Sequence, residues 1–337
     1  VGGPACTPDG NCEYILKYDM MKKIKFGQSV LQVSPISFGG NVFGWTLDEK
    51  KSFEIVDIMV ASGINFIDTA DTYSRWAPGN QGGESETIIG KWMKERGNRN
   101  DLVIATKLGG DMGDGKKGLS AKYVEEAVEA SLKRLNIDHI DLYQPHYDDP
   151  DTPVAETMEA LNKLIKAGKV RHIGTSNLSA ERIADSNQYA RDNKLEPYIS
   201  LQPLYNLYNR EKLEKEYLPL IEKSDFAVIP YYALASGFLT GKYRGEEDQN
   251  KSPRGGGMKQ YFNDRGWAIL KAMDEVSEEI NAPLAQIAIA WQLHKPFVTA
   301  PIASATSEAQ VRDLVAAASL ELSAEQMEKL DKASAVG

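Results

Sequence analysis

The chain has 337 residues, 42% of them hydrophobic, and a formal net charge of −9. That length holds two or three ordinary domains or one large α/β barrel, and the apolar content excludes a disordered chain. The acidic balance argues against sequence-independent nucleic-acid binding, and no apolar run approaches the ~20 residues of a membrane span.

Residues 1–20 carry no periodic pattern and no signal-peptide stretch. They read as a loose arm or a tag, with residues 21–337 as a single domain of a cytoplasmic protein. Both cysteines, Cys6 and Cys12, lie in this arm, so neither a disulfide framework nor a zinc site is expected.

From Lys22 onward, short apolar runs alternate with amphipathic stretches. ISFGG (36–40), INFID (64–68) and LVIATK (102–107) read as the first three strands. Val124, Val128, Leu132 and Leu135 then line one helix face, which stops at Asn136. HIDLYQPH (139–146) is the fourth strand. Pro153 suits a first helical position, Val154, Met158, Leu161 and Ile165 share a face, and Gly168 ends that helix. VRHIGTS (170–176), YISLQ (198–202) and FAVIPY (226–231) are strands five to seven. The polar stretch 241–265 reads as a large surface loop, a candidate lid. Helical stretches 266–281 and 283–294 lead to the eighth strand, FVTAPIA (297–303), and a last helix runs from Ser323 to about Ser334. Ser307 and Ser323 each precede a Gln by three residues, the capping-box spacing.

Eight strand–helix units imply a parallel sheet covered on both faces. A doubly wound open sheet and a (β/α)8 barrel both satisfy that pattern. Seven of the runs end in polar or tyrosine side chains: Asp68, Lys107, His146, Ser176 with Asn177, Gln202, Tyr231 and Ser304. A barrel collects all those ends on one face, where barrel active sites lie. The expected fold is therefore a single-domain α/β (β/α)8 TIM barrel, with extra helices and the long loop after strand seven.

GDGKKG (113–118) matches G-x-G-x-x-G, but it starts six residues beyond Lys107 and follows the third strand, not the first. A solvated loop is the better reading than a phosphate cradle. Asp68, Tyr73, Lys107 and His146 carry more. Each alone has an ordinary reading: a capping acid, a rim aromatic, a snorkelling lysine, a satisfied loop histidine. Together they converge on one barrel mouth. A buried Lys107 needs the Asp68 counter-ion. Its charge is expected to depress the Tyr73 phenol, making it a proton donor or acceptor near neutral pH. His146 can orient a carbonyl oxygen.

FIDTADTY (66–73), IATK (104–107), DLYQPH (141–146), GTSN (174–177), QPLYNL (202–207) and YYALASGFLTGKYR (231–244) resemble, in order and spacing, the motifs of the aldo-keto reductase superfamily. The likeness covers residues 22–337 and is nearest to bacterial members that also resemble potassium-channel β-subunits. It implies an NAD(P)H-dependent oxidoreductase that reversibly reduces aldehydes or ketones to alcohols, with Tyr73 as general acid within the tetrad Asp68, Tyr73, Lys107 and His146. The alternative it leaves is a cofactor-sensing binding subunit with little turnover. It further implies that Ser176, Asn177 and Gln202 hold the nicotinamide carboxamide and Tyr231 stacks on the ring. Leu234, Ala235, Ser236, Gly237 and Lys242 would wrap the pyrophosphate, with Arg254 as a loop cation. Gly40, Asn41, Ser304, Thr306, Gln310 and Asp313 complete the cofactor set, Gln310 also being a capping residue.

The sequence departs from the family at Ser304, a usual Gly, at Leu314, often Asn, and at Tyr232-Ala233 in place of Ser-Pro. NADP(H) is the expected cofactor, with NAD(H) as the alternative if Glu308 meets the ribose. Trp45, Trp76 and Tyr147 are candidate substrate contacts, with Asn41, Tyr261 and Phe262 beside them. An aromatic mouth suits sugars, terpenoids and aryl carbonyls alike. The expected partner is a small carbonyl or sugar substrate, with no nucleic acid and no membrane. The sequence leaves the oligomeric state open.

Overall fold

The computed structural model describes residues 21–336. The arm expected at residues 1–20 lies outside the described residues. Eight parallel strands form the ring: β1 (Ser37–Gly39), β2 (Phe66–Asp68), β3 (Val103–Leu108), β4 (Ile140–Pro145), β5 (Val170–Ile173 and Thr175–Ser176), β6 (Ser200–Gln202), β7 (Ala227–Val228) and β8 (Ile302–Ala303). Neighbours pair in register from β8 through β1 to β5, and from β5 through β6 to β7. Ladder bonds also join β7 to β8. Thr299 N–H donates to Val228 O (2.8 Å) and Ile302 N–H to Pro230 O (2.7 Å), which closes the barrel.

The short seventh and eighth strands have a local cause. Pro230 and Pro301 offer no N–H to a ladder, so regular pairing ends beside them. The expected strands 226–231 and 297–303 shrink accordingly, although Tyr231 still bridges Leu204.

Helices cover the ring: α1 (Glu49–Ala61), α2 (Glu84–Arg96), α3 (Ala121–Leu135), α4 (Val154–Lys166), α5 (Ala180–Asp192) and α6 (Leu218–Ser224). After β7 come α7 (Asp264–Ile280) and α8 (Leu284–Leu293), then α9 (Glu308–Ala317) and α10 (Ala324–Ala333). Caps set several boundaries. Asp48, Ser120, Ser179 and Asn263 each accept an N–H from the first turn, and Asn136 closes α3 in the left-handed region at φ 54°. Pro153 sits one residue earlier than expected, at the N-cap of α4. Ser323 makes the full capping box. At Ser307 only half of it forms, because the Gln310 side chain accepts from Thr306 N–H (2.7 Å) instead.

An antiparallel hairpin, Ile24–Lys25 with Gln32–Val33, was not foreseen. It plugs the N-terminal end of the ring. Phe26, Leu31 and Val33 are buried there against Phe66, Val103, Leu142 and Ala227, and the Phe26 and Phe66 rings meet edge-on at 5.4 Å. Water is thus excluded from the barrel's lower half, and the polar strand ends gather at the other end. Segment 241–265 is more than a solvated insertion. It folds as 3-10 turns at Glu246–Lys251 and Gly255–Tyr261, anchored by buried Tyr243, Met258 and Tyr261.

Candidate active site

A cavity of about 1250 Å³ opens at the C-terminal ends of the strands. Asp68 ends β2 and Lys107 lies near the end of β3; both are fully buried. Lys107 Nζ spends all three donors locally: Asp68 Oδ2 at 2.8 Å, Thr69 O at 2.7 Å and the Tyr73 hydroxyl at 2.9 Å. The Tyr73 hydroxyl in turn donates to Asp68 Oδ2 at 3.0 Å. Burial pushes the Lys107 ammonium down, against the pull of Asp68.

The expected depression of the Tyr73 phenol is not what this arrangement produces. Its pKa is held well above 10.0, by desolvation first and then by the Asp68 charge. Lys107 is already neutralised by Asp68, so its field does not outweigh burial. Tyr73 therefore keeps its proton at neutral pH, as a proton donor must.

His146 stands at the end of β4, with Nδ1 at 3.4 Å from the Thr72 hydroxyl. Burial and the Lys107 charge hold its pKa well below 6.5, so the ring is neutral. The neutral ring can carry its hydrogen on Nε2, with Nδ1 accepting from Thr72. Thr72 was not foreseen; only its place beside Tyr73 could have signalled it.

The residues expected to hold a nicotinamide form one connected chain, joined at its middle by Asn177 Nδ2 donating to Ser176 Oγ (3.0 Å). Gln202 Nε2 donates to Asp68 Oδ1 (2.9 Å), and Ser176 Oγ donates to Gln202 O (2.8 Å). Asn177 Nδ2 donates to His146 O (3.0 Å), and the Tyr231 hydroxyl donates to Asn177 Oδ1 (2.9 Å). Further along the cavity, Ala235, Ser236 and Gly237 take successive left-handed conformations, φ 47°, 57° and 101°. Successive residues of this kind turn backbone N–H groups into an anion-binding concavity. Lys242 Nζ and the Arg254 guanidinium line the cavity and form no ion pair with any described residue.

Arg254 lies 5.3 Å from the Trp45 ring. With the Asn41 amide nitrogen turned toward Gly39 O (3.2 Å) and Ser304 Oγ (2.6 Å), the Asn41 oxygen accepts from Arg254 Nη2 at 3.1 Å. These donors, and a cavity of about 1250 Å³, fit a dinucleotide, the 235–237 concavity being suited to a pyrophosphate.

Most expected contacts line this cavity, including Thr306, Gln310 and Asp313, the last accepting from Gln286 Nε2 at 2.9 Å. Four do not. Gly40 faces away, its carbonyl accepting from Ser85 Oγ (2.8 Å), and Gly39 takes its place in the lining. Ala235 has its side chain in the core, so it can contribute backbone alone. Tyr261 stacks on Phe238 at 5.0 Å and Phe262 on Trp267 at 5.3 Å, anchoring the loop from beneath. Glu308 is paired with Arg312 and lies outside the lining. The GDGKKG stretch is an exposed turn, with Lys116 N–H donating to Gly113 O at 2.9 Å.

Asp71 lies in the loop between Asp68 and Tyr73. It is 2% exposed and neither carboxyl oxygen has a hydrogen-bond partner. Burial and the nearby Glu86 charge push its pKa up to about 8. Among the described residues no cluster of His, Cys, Asp and Glu could hold a metal ion, and no helix is long and apolar enough to cross a membrane.

Comparison with known proteins places this geometry among relatives. Residues 35–335 match the family model described as the aldo/keto reductase family. A probable voltage-gated potassium channel subunit beta of Arabidopsis thaliana is 35% identical over 303 residues, 87% of this chain and 90% of that protein. The uncharacterized oxidoreductase YrpG of Bacillus subtilis (strain 168) is 32% identical over 318 residues, 92% and 95% of the two chains. The aldo-keto reductase YhdN of the same strain is 35% identical over 269 residues, 77% and 76%.

Proposed function

This chain belongs to the aldo/keto reductase family, and we propose that it is an NADPH-dependent reductase of aldehydes or ketones. The observation that carries the reading is the Asp68–Lys107–Tyr73 triangle. It holds a protonated phenol against a buried ammonium at 2.9 Å, beside a neutral imidazole.

When bound, the reduced nicotinamide supplies a hydride to the carbonyl carbon. The chain's own groups manage the oxygen. His146 Nε2–H and the Tyr73 hydroxyl bind it, the hydroxyl turning from Asp68 toward the substrate. Tyr73 gives up its proton as charge builds on the oxygen, and Lys107 stabilises the phenolate that forms. Solvent returns a proton to Tyr73 after the alcohol leaves. Ser176, Asn177 and Gln202 would hold the carboxamide, Tyr231 the ring face, and residues 234–237 with Lys242 the pyrophosphate. Arg254, with Thr306 nearby, would meet the 2′-phosphate. The two lining groups at that end suited to a 2′-phosphate, Arg254 and Thr306, are what support NADPH over NADH.

The test is steady-state turnover with NADPH and a panel of aldehydes and ketones. Continuous oxidation of NADPH by at least one class supports the reading. A single turnover followed by tightly retained cofactor contradicts it and supports a cofactor-sensing subunit.

A further inference from the structure

Among the described residues four large apolar side chains are prominently exposed, and three of them, Trp76, Tyr147 and Tyr232, line this one cavity, each 51% exposed. An exposed apolar patch rimmed by polar groups marks a binding surface. All three surround the reacting groups. Tyr147 stacks on His146 at 4.5 Å, Trp76 meets Tyr73 edge-on at 6.2 Å, and Tyr232 meets Tyr231 at 5.2 Å.

Tyr232 is held there at a cost. Its φ is 56°, a left-handed conformation unfavourable to a bulky side chain. The surroundings impose it: the Tyr232 carbonyl accepts from Asn206 Nδ2 at 2.9 Å and from Ala235 N–H at 2.7 Å. Glycine alone would make those backbone bonds at this φ without strain, and a tyrosine ring stands there instead.

Arg75 lines the same end of the cavity, two residues after Tyr73. Its backbone is fixed by Arg75 N–H to Thr72 O (3.1 Å), by Ser74 at φ 70° and by Ser74 Oγ donating to Phe43 O (2.6 Å). The guanidinium makes no hydrogen bond or ion pair with any described residue. The neighbouring carboxylate in the lining, Asp111, does not neutralise it. Asp111 Oδ1 is occupied by Gly113 N–H at 2.8 Å, and the two residues form no ion pair.

We infer that the substrates are planar aromatic carbonyl compounds carrying an acidic group, a carboxylate above all, with the rings among Trp76, Tyr147 and Tyr232 and the anion on Arg75. The inference rests on the reductase reading and specifies its substrate. A planar guanidinium with no donor bonded to a described residue matches a carboxylate in bidentate fashion. Arg75 is exposed, so the pair contributes about 0.2–1 kcal/mol, or roughly 1.5–5-fold in affinity.

The experiment compares the ortho, meta and para carboxybenzaldehydes with their methyl esters, using NADPH and the full chain. The expected result is an acid over ester preference in kcat/KM of roughly 3-fold or more for at least one isomer. The preference should sit in KM and weaken as salt is raised. In Arg75→Gln the acid-to-ester ratio falls toward one, and Arg75→Lys restores part of it. Tyr232→Ala raises KM for acid and ester alike, which separates the ring's role from the cation's. Equal use of acid and ester by the wild type, or an unchanged ratio in Arg75→Gln, overturns the inference and leaves the reductase intact. Turnover of neither compound, nor of any other carbonyl, overturns both.

Discussion

The Gln202 carboxamide donates to Asp68 Oδ1 at 2.9 Å, joining the end of β6 to the end of β2. Asp68 is therefore gripped on both oxygens, by Gln202 on one and by Lys107 and Tyr73 on the other. A residue expected to hold cofactor also steadies the counter-ion of the lysine. Gln202→Leu should lower cofactor affinity and the rate of reduction together, each by roughly 10-fold or more, since a hydrogen bond to a buried charge is lost. Measured NADPH dissociation constants and kcat check this. A change in affinity alone would mean that the bond to Asp68 does not matter to the chemistry.

Lys107→Met should reduce turnover by on the order of 10²–10⁴ while cofactor binding persists. Lys107 touches Asp68, Thr69 and Tyr73 and does not line the cavity itself. The variant also leaves Asp68 buried without its ion, a loss of about 3–5 kcal/mol. Unfolding in urea and NADPH titration distinguish the two effects. Turnover within a few-fold of wild type would remove Lys107 from the mechanism.

Asp71 gives a pH signature that is independent of catalysis. Its carboxyl titrates near 8 in the folded chain against an ordinary 3.8. Between those values the folded state holds a proton that the unfolded chain has lost, so this group's contribution to stability falls as pH rises and levels off above about 8. Asp71→Asn, neutral throughout, should gain on the wild type by about 1.4 kcal/mol per pH unit across that window. Urea unfolding of both proteins at several pH values tests it. A difference that stays constant with pH would mean that Asp71 is ionised throughout.

The tetrad is legible in the sequence because three of its members stand at or beside the ends of recognisable apolar runs, and barrel topology brings such ends together. The groove proposed to take a dinucleotide is legible where motif and strand end coincide, as at Ser176, Asn177 and Gln202. Where a role depends on packing between distant elements, it is not. Tyr261 and Phe262 look like mouth aromatics until the Phe238 and Trp267 rings are seen to receive them. The sign of the Tyr73 shift depends on how Asp68 and burial share Lys107, which spacing does not report. The plug hairpin has strands of two residues each, too short for alternation to register. Gly90 shows a limit of the same kind. A Cβ there would stand 2.4 Å from the Arg134 carbonyl, a close approach of α2 to the end of α3 that only the assembled fold reveals.

Arg254 should determine the choice of dinucleotide. It joins the segment after β7 to Asn41 at the mouth of β1, with no carboxylate partner. The wild type is expected to favour NADPH over NADH in kcat/KM. Arg254→Ala should reduce that ratio by roughly 10-fold or more, chiefly through KM for NADPH. A ratio unchanged by the substitution would assign the preference elsewhere, and a wild-type preference for NADH would overturn it.

The central claim is that Tyr73 donates the proton, and the pH profile of aldehyde reduction by wild type and Tyr73→Phe tests it most directly. Tyr73 titrates well above 10.0 and His146 well below 6.5, so both hold their working protonation states between those values. The account predicts a wild-type kcat that is level from about pH 6.5 to 10. It predicts that Tyr73→Phe binds NADPH normally and loses on the order of 10²–10⁴ in kcat over that whole range. A variant that turns over at the wild-type rate, or a wild-type rate that falls steeply as pH rises through 7 to 9 in single-turnover measurements of the hydride step, would contradict it.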